Sequence, residues 1–199
     1  MTVTPAFSLL KSRPVRTGQA FSMVPERAYR VNFFPTLCAG LVLLGISGTS
    51  ACRTGLQGGT FVKSGVRYRV GPVPPGFHPV SFADNDLAFE SAPPGQAIAV
   101  NATCQGHGDA SLEVLTRHLF TGFSDIELLG QTRTPLDARD ALKTHVRAKL
   151  DGVACELMLV VMKKNGCVFD LSLLSPPSEF AAALPTFEEL LHQFQVEAP

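Results

Sequence analysis

The sharpest pattern along the chain is a strict alternation over residues 142–150. Leu142, Thr144, Val146, Ala148 and Leu150 fall on one side, and Lys143, His145, Arg147 and Lys149 on the other, which is the period of a half-buried strand. Asp151-Gly152 follows as a two-residue hairpin turn, because both residue types tolerate the positive φ that such turns require. Closing the hairpin there pairs Leu150 with Val153 and sets Ala148 opposite Cys155 and Val146 opposite Leu157; Cys155, Leu157, Leu159 and Val161 then share one buried face. In the next strand the apolar alternation falls on Cys167, Phe169, Leu171 and Leu173. Matching that face to the previous one requires a connection with an odd number of residues. The expectation is a three-residue loop, Lys164 to Gly166, with Gly166 left-handed. A two-residue Asn165-Gly166 turn would set Asp170 opposite Val161, and this reasoning disfavours it.

Upstream, residues 60–70 read as one strand with a bend at Gly65, and the prolines of 71–80 lack the amide hydrogens that regular structure needs. Leu87 and Phe89, the turn "APPG", then Ile98, Val100, Ala102 and Cys104 on one face predict a hairpin. The spacing of Leu112, Leu115 and Leu119 predicts a helix over 109–121, with Asp109 as its N-cap and Gly122 as its end. Thr186 and Glu189 form a capping box, after which Phe187, Leu190, Leu191 and Phe194 make one apolar stripe. Connections this short exclude parallel crossovers, so the fold class is α+β, mainly antiparallel sheet with helices packed on it. Met158, Val160, Met162, Val168 and Leu174 make the second sheet face apolar as well. The expected architecture is an α/β/α sandwich.

The first 51 residues follow other rules. After Arg27 and Arg30, Pro35 divides an apolar run and leaves Thr36 to Gly48 uninterrupted, too short for the roughly 20 residues of a membrane-spanning helix. Thr49, Ser50 and Ala51 are small, as signal cleavage prefers. The expected division is a targeting segment over 1–51, with Met23 as the true start or the first 22 residues merely lengthening the positive flank, a tether over 52–59, and one globular domain over 60–199. Charge supports that division. Residues 1–51 hold five Lys/Arg against one Glu, a net of +4, which leaves 12 Lys/Arg against 16 Asp/Glu, a net of −4, in the rest. An acidic body without a Lys/Arg run excludes nucleic acid as a partner.

Two resemblances refine the picture. Residues 49–52, "TSAC", resemble the lipobox of bacterial lipoproteins, which implies that Cys52 is the lipid attachment site and the mature N-terminus. Plain signal cleavage and a retained single-pass anchor are competing outcomes of the same residues. The long hairpin and third strand "DGVACELMLVVMKKNGCVFDLSLLSPPSEF", followed by the helix "FEELLHQF", resemble the PsbP-like domain over about residues 85–196. That family's α/β/α fold occurs in an extrinsic photosystem II subunit and in a Ran-binding import factor, and its bacterial members are frequently lipoproteins. The resemblance implies a non-enzymatic binding or accessory module. The expected protein is a monomer held at the cell envelope, on the periplasmic face of the outer membrane in a Gram-negative source, with an unidentified envelope partner.

Candidate chemistry is sparse. No CxxC, HExxH, GxSxG or P-loop pattern occurs, and His78, His107, His118, His145 and His192 are scattered singly, so no catalytic residue, metal site or cofactor is assigned. Asp84, Asp86 and Glu90 sit close together but lack the glycine of a calcium loop and read as a solvated turn. The register above separates Cys155 from Cys167 by about 26 Å at roughly 3.3 Å per residue, which excludes that disulfide. Cys104 is then free to meet either one, or all three remain buried thiols. Lys143, His145, Arg147 and Lys149, with Arg133 and Arg139 nearby, form a basic stripe that could face anionic headgroups. A secreted hydrolase or thiol enzyme with an unrecognised site is the alternative function.

Overall fold

The computed structural model describes residues 55–63, 65–81 and 85–197. The targeting segment 1–51, Met23, Cys52 and Asp84 lie outside the described residues. The first half of the chain forms β1 (Gly55–Gln57), β2 (Thr60–Lys63), β3 (Val66–Arg69), β4 (Phe77–Val80), β5 (Leu87–Ser91), β6 (Ala97–Thr103) and α1 (Leu112–His118). The second half forms β7 (Phe123–Leu136), β8 (Arg139–Leu150), β9 (Val153–Lys164), β10 (Cys167–Ser175), α2 (Phe180–Gln193) and β11 (Gln195–Val196). The strands build a four-stranded sheet of order β1-β2-β3-β11 and a seven-stranded sheet of order β4-β5-β6-β10-β9-β8-β7, with every pairing antiparallel. The fold is the expected α+β class with helices on a mainly antiparallel sheet.

Two apolar layers hold it. On one face of the large sheet, Phe180, Phe187, Leu190, Leu191 and Phe194 from α2 and its C-cap pack with Phe61 and Tyr68 of the small sheet and with Phe89, Phe169, Leu171 and Leu173. Burying each of the four side chains of the predicted α2 stripe contributes roughly 1.5–3 kcal/mol before entropy. On the other face, Leu112 and Leu119 cover Val146, Leu157, Leu159, Val161 and Val168.

The β8–β9 register is as predicted, with Leu150 opposite Val153 and Ala148 opposite Cys155. The β9–β10 connection is not. Lys164 pairs with Cys167, so the turn is Asn165-Gly166 alone, with φ of 52° and 74°, and Gly166 is left-handed as expected. Face matching failed because β10 is buried on both sides. Cys167, Phe169, Leu171 and Leu173 face α2, while Val168 and Leu174 face α1. Such a strand has no solvated side to constrain its register, and the Asn-Gly preference for positive φ decides it.

Other boundaries move for local reasons. The stretch 60–70 is a hairpin, not one bent strand, with Lys63 opposite Val66 and Gly65 at φ 78°. Phe77–Val80, expected to be irregular, is the edge strand β4, where a proline is tolerated because one side needs no ladder bond. The N-cap of α1 is Ser111, whose hydroxyl accepts from the Val114 N–H, not Asp109. The final helix begins at Phe180 and carries Pro185 inside it, so Thr186 and Glu189 lie within the helix and do not cap its start. Gly55–Gln57, expected in the tether, pair with β2 as a strand.

Candidate functional site

The two-residue turn between β9 and β10 has a chemical consequence. It sets Asp170 opposite Val161 on one side and Asn101 on the other, and so turns a carboxyl into the layer beneath α1. Asp170 Oδ1 is sealed from solvent and has no hydrogen-bond partner among the described residues. Burial pushes this carboxyl up to about 7; Asn101 opposes the shift by hydrogen bonding, Asp86 adds to it by its charge, and Lys63 opposes it.

Asp170 is one end of a polar run through the domain. Asn101 Oδ1 accepts from the Asp86 backbone N–H at 3.0 Å. The Asp86 carboxylate accepts from Lys63 Nζ at 2.6 Å, from the Ala102 N–H at 2.8 Å and from the Tyr68 hydroxyl at 3.5 Å. Burial, then the charges of Asp86 and Asp170, hold the Tyr68 phenol well above its ordinary range, so it stays protonated and donates. Asp86 is therefore a buried acceptor, not part of a solvated turn; its side chain is 6% exposed.

A pocket of about 90 Å³ opens beside Asp170, bounded by Leu115 and His118 of α1 and its C-cap Leu119, by Val161 and Val168, and by the loop 103–110. The loop is held in two ways. Cys104 and Cys167, expected only as one of several possibilities, form a disulfide between adjacent ends of β6 and β10. His107 Nε2 lies 3.0 Å from the Gly166 carbonyl, and because that oxygen only accepts, Nε2 is the donor.

The sequence-derived candidates are distributed elsewhere. The basic stripe is matched by acids: Lys143 pairs with Glu188 of α2, Lys149 with Asp125 at 2.8 Å, and His145 and Arg147 both meet the buried Glu156, at 2.8 and 3.1 Å. His145 also stacks on Phe180 with ring centroids 4.8 Å apart. The stripe is thus a seam between the sheet and its acidic neighbours, not a free cationic face. Cys155 is a buried free thiol pushed up to about 11 by desolvation. His118 is exposed at the end of α1. Among the described residues, no three His, Cys, Asp or Glu side chains gather as a metal cage. Asp170 itself was missed, although the Asn165-Gly166 dipeptide was the signal that places it inside.

No protein-family model and no curated protein matches the sequence. Solved structures do match. The cyanobacterial PsbP protein CyanoP from Synechocystis sp. PCC 6803 is 15% identical over 78% of this chain and 99% of that one, with a TM-score of 0.51. The fold is PsbP-like. LpqN of Mycobacterium tuberculosis, described as involved in cell envelope biogenesis, is 15% identical over 66% of this chain and 83% of its own, with a TM-score of 0.50. At such identity the likeness concerns the PsbP-like fold alone, and the Asp170 pocket stands on this chain's own residues.

Proposed function

We propose that this is a cell-envelope protein, exported and held to a membrane through lipid on Cys52, whose PsbP-like domain is a non-enzymatic binding or accessory module for another envelope component. The observation that carries the reading is the run from Thr36 to Cys52, an apolar stretch too short to span a bilayer that closes in small residues and a cysteine. The fold supports it, since LpqN, which shares the fold, is described as acting in envelope biogenesis. The chemistry of Cys155 supports it too, because a buried thiol pushed up to about 11 is a poor nucleophile at neutral pH and speaks against a thiol enzyme built on it.

Several acyl chains at one residue hold a domain on a bilayer far longer than a single chain does. The test expresses the full chain and a Cys52→Ser variant, fractionates membranes, and measures the intact mass of the extracted protein. The expected result is a membrane-bound wild-type chain that starts at Cys52 and carries diacylglyceryl mass, and loss of membrane association in the variant. A variant that sediments with membranes as the wild type does, or an unmodified mass at Cys52, overturns the anchor.

A further inference from the structure

The run from Lys63 to Asp170 is one positive charge short. Two carboxyls, Asp86 and Asp170, flank Asn101 and act on each other electrostatically. Among the described residues the cation acting on both is Lys63, and its ammonium is committed to Asp86 at 2.6 Å. Asp170 lines the pocket beneath α1, with its Oδ1 sealed behind that lining and without a hydrogen-bond partner among the described residues. The walls facing it are hydrocarbon from Leu115, Leu119, Val161 and Val168. The two rim imidazoles do not complete it. His107 points its ring nitrogens at the carbonyls of Gly166 and Gly108, at 3.0 and 3.3 Å, and His118 is exposed.

We propose that this pocket binds a small organic cation, a protonated primary amine on a compact hydrocarbon body, with its N–H donating to the Asp170 carboxyl and its hydrocarbon lying against Leu115, Leu119, Val161 and Val168. The competing ligand chemistries fit worse. An anion would meet Asp170 inside a body that already carries a net charge of −4 beyond residue 51. A hard metal ion needs six or more oxygen ligands, and apolar walls supply none. A neutral alcohol could donate one hydrogen bond but would leave the charge balance unmet, and a charge-assisted bond is roughly twice as strong as a neutral one. The space of about 90 Å³ selects a compact amine over a long one.

The pocket also dictates a pH response. The cation binds the ionised carboxyl, so affinity is full above the value of about 7 and falls below it. Asp86 raises that value and Lys63 and Asn101 lower it; Tyr68 faces Asp86 as a protonated donor. His107 faces the pocket from the 103–110 loop and His118 from α1.

The experiment titrates the full chain at pH 8 with cyclohexylammonium, cyclohexanol and cyclohexanecarboxylate, following the methyl resonances of Val161 and Val168. Cyclohexylammonium is expected to shift them saturably, cyclohexanol to bind at least tenfold more weakly, and the carboxylate not to bind. The ammonium affinity is expected to fall about tenfold between pH 8 and pH 6, the fraction of carboxyl that is lost to protonation over that interval. Asp170→Asn is expected to weaken the ammonium at least tenfold and leave the alcohol unchanged. Leu119→Phe, which fills the pocket and keeps the carboxyl, is expected to abolish ammonium binding and stands as a second, independent variant. An ammonium titration without a saturable shift shows a pocket that takes up only a proton and overturns the proposal. Equal binding of the alcohol, binding of the carboxylate, or unchanged ammonium binding in Leu119→Phe overturns it as well.

Discussion

Replacing Asp170 by Asn keeps the shape of the side chain and its bond to Asn101 while removing the ionisable group, so it isolates what the buried carboxyl costs the fold. In the folded protein this carboxyl is pushed up to about 7, chiefly by burial. In the unfolded chain it titrates near the ordinary value of about 3.9. Between those two values the folded state holds the proton and the unfolded state does not. Folded stability therefore falls as pH rises through this window, and the loss is complete above about 7. About three pKa units at roughly 1.4 kcal/mol each put the penalty at up to about 4 kcal/mol at pH 8 and about 1–2 kcal/mol at pH 5. Asn at this position avoids both. The expected outcome is an Asp170→Asn protein more stable than wild type by up to about 4 kcal/mol at pH 8, an advantage that shrinks by about 2–3 kcal/mol at pH 5. Urea unfolding of both proteins with the disulfide intact measures it, and subtracting one from the other cancels every other titrating group. A variant no more stable than wild type at pH 8, or a difference that does not change with pH, would refute the assignment of a buried, proton-holding carboxyl at this position.

Two further predictions concern sulfur. The Cys104–Cys167 bond closes a separation of 63 residues, for which loop entropy gives about 4 kcal/mol, so reduction or Cys104→Ser is expected to lower the free energy of unfolding by that order in denaturant titrations. Cys155, buried and pushed up to about 11, is expected to resist iodoacetamide in the folded protein at pH 8 and to react once denatured, as read by mass spectrometry of its peptide; rapid labelling of native protein would contradict its burial.

The parts of the fold that the chain announces are those where one strong local signal agrees with the pattern of faces. Asp151-Gly152 and the alternation over 142–150 agree, and the β8–β9 register follows residue by residue. At Asn165-Gly166 the same turn chemistry and the face pattern disagree, and the turn decides, because strands covered on both sides accept either register without exposing an apolar row. The start of α2 was hidden for another reason. Pro185 followed by Thr186 and Glu189 imitates a helix beginning, yet Phe180 and Ala183 extend the buried stripe upstream, and their packing outweighs the missing amide hydrogen. The candidate site was the least legible part. Asp170 acquires its character from Asn101, Asp86, Lys63 and the α1 leucines, groups brought to it from four separate elements and turns, and no spacing along the chain encodes that meeting. The basic stripe misled in the same way, since Glu156, Glu188 and Asp125, which neutralise it, come from other strands and from α2.

The bond between Cys104 and Cys167 straddles the largely exposed stretch Gln105–Asp109, the natural place for a protease to enter between β6 and α1. A cut there would sever the backbone and liberate nothing, because both fragments stay covalently joined through sulfur and zipped along the β6–β10 ladder. The protein is thus organised to survive nicking as a two-chain molecule, a useful property wherever stray peptidases are abundant and thiols are kept oxidised.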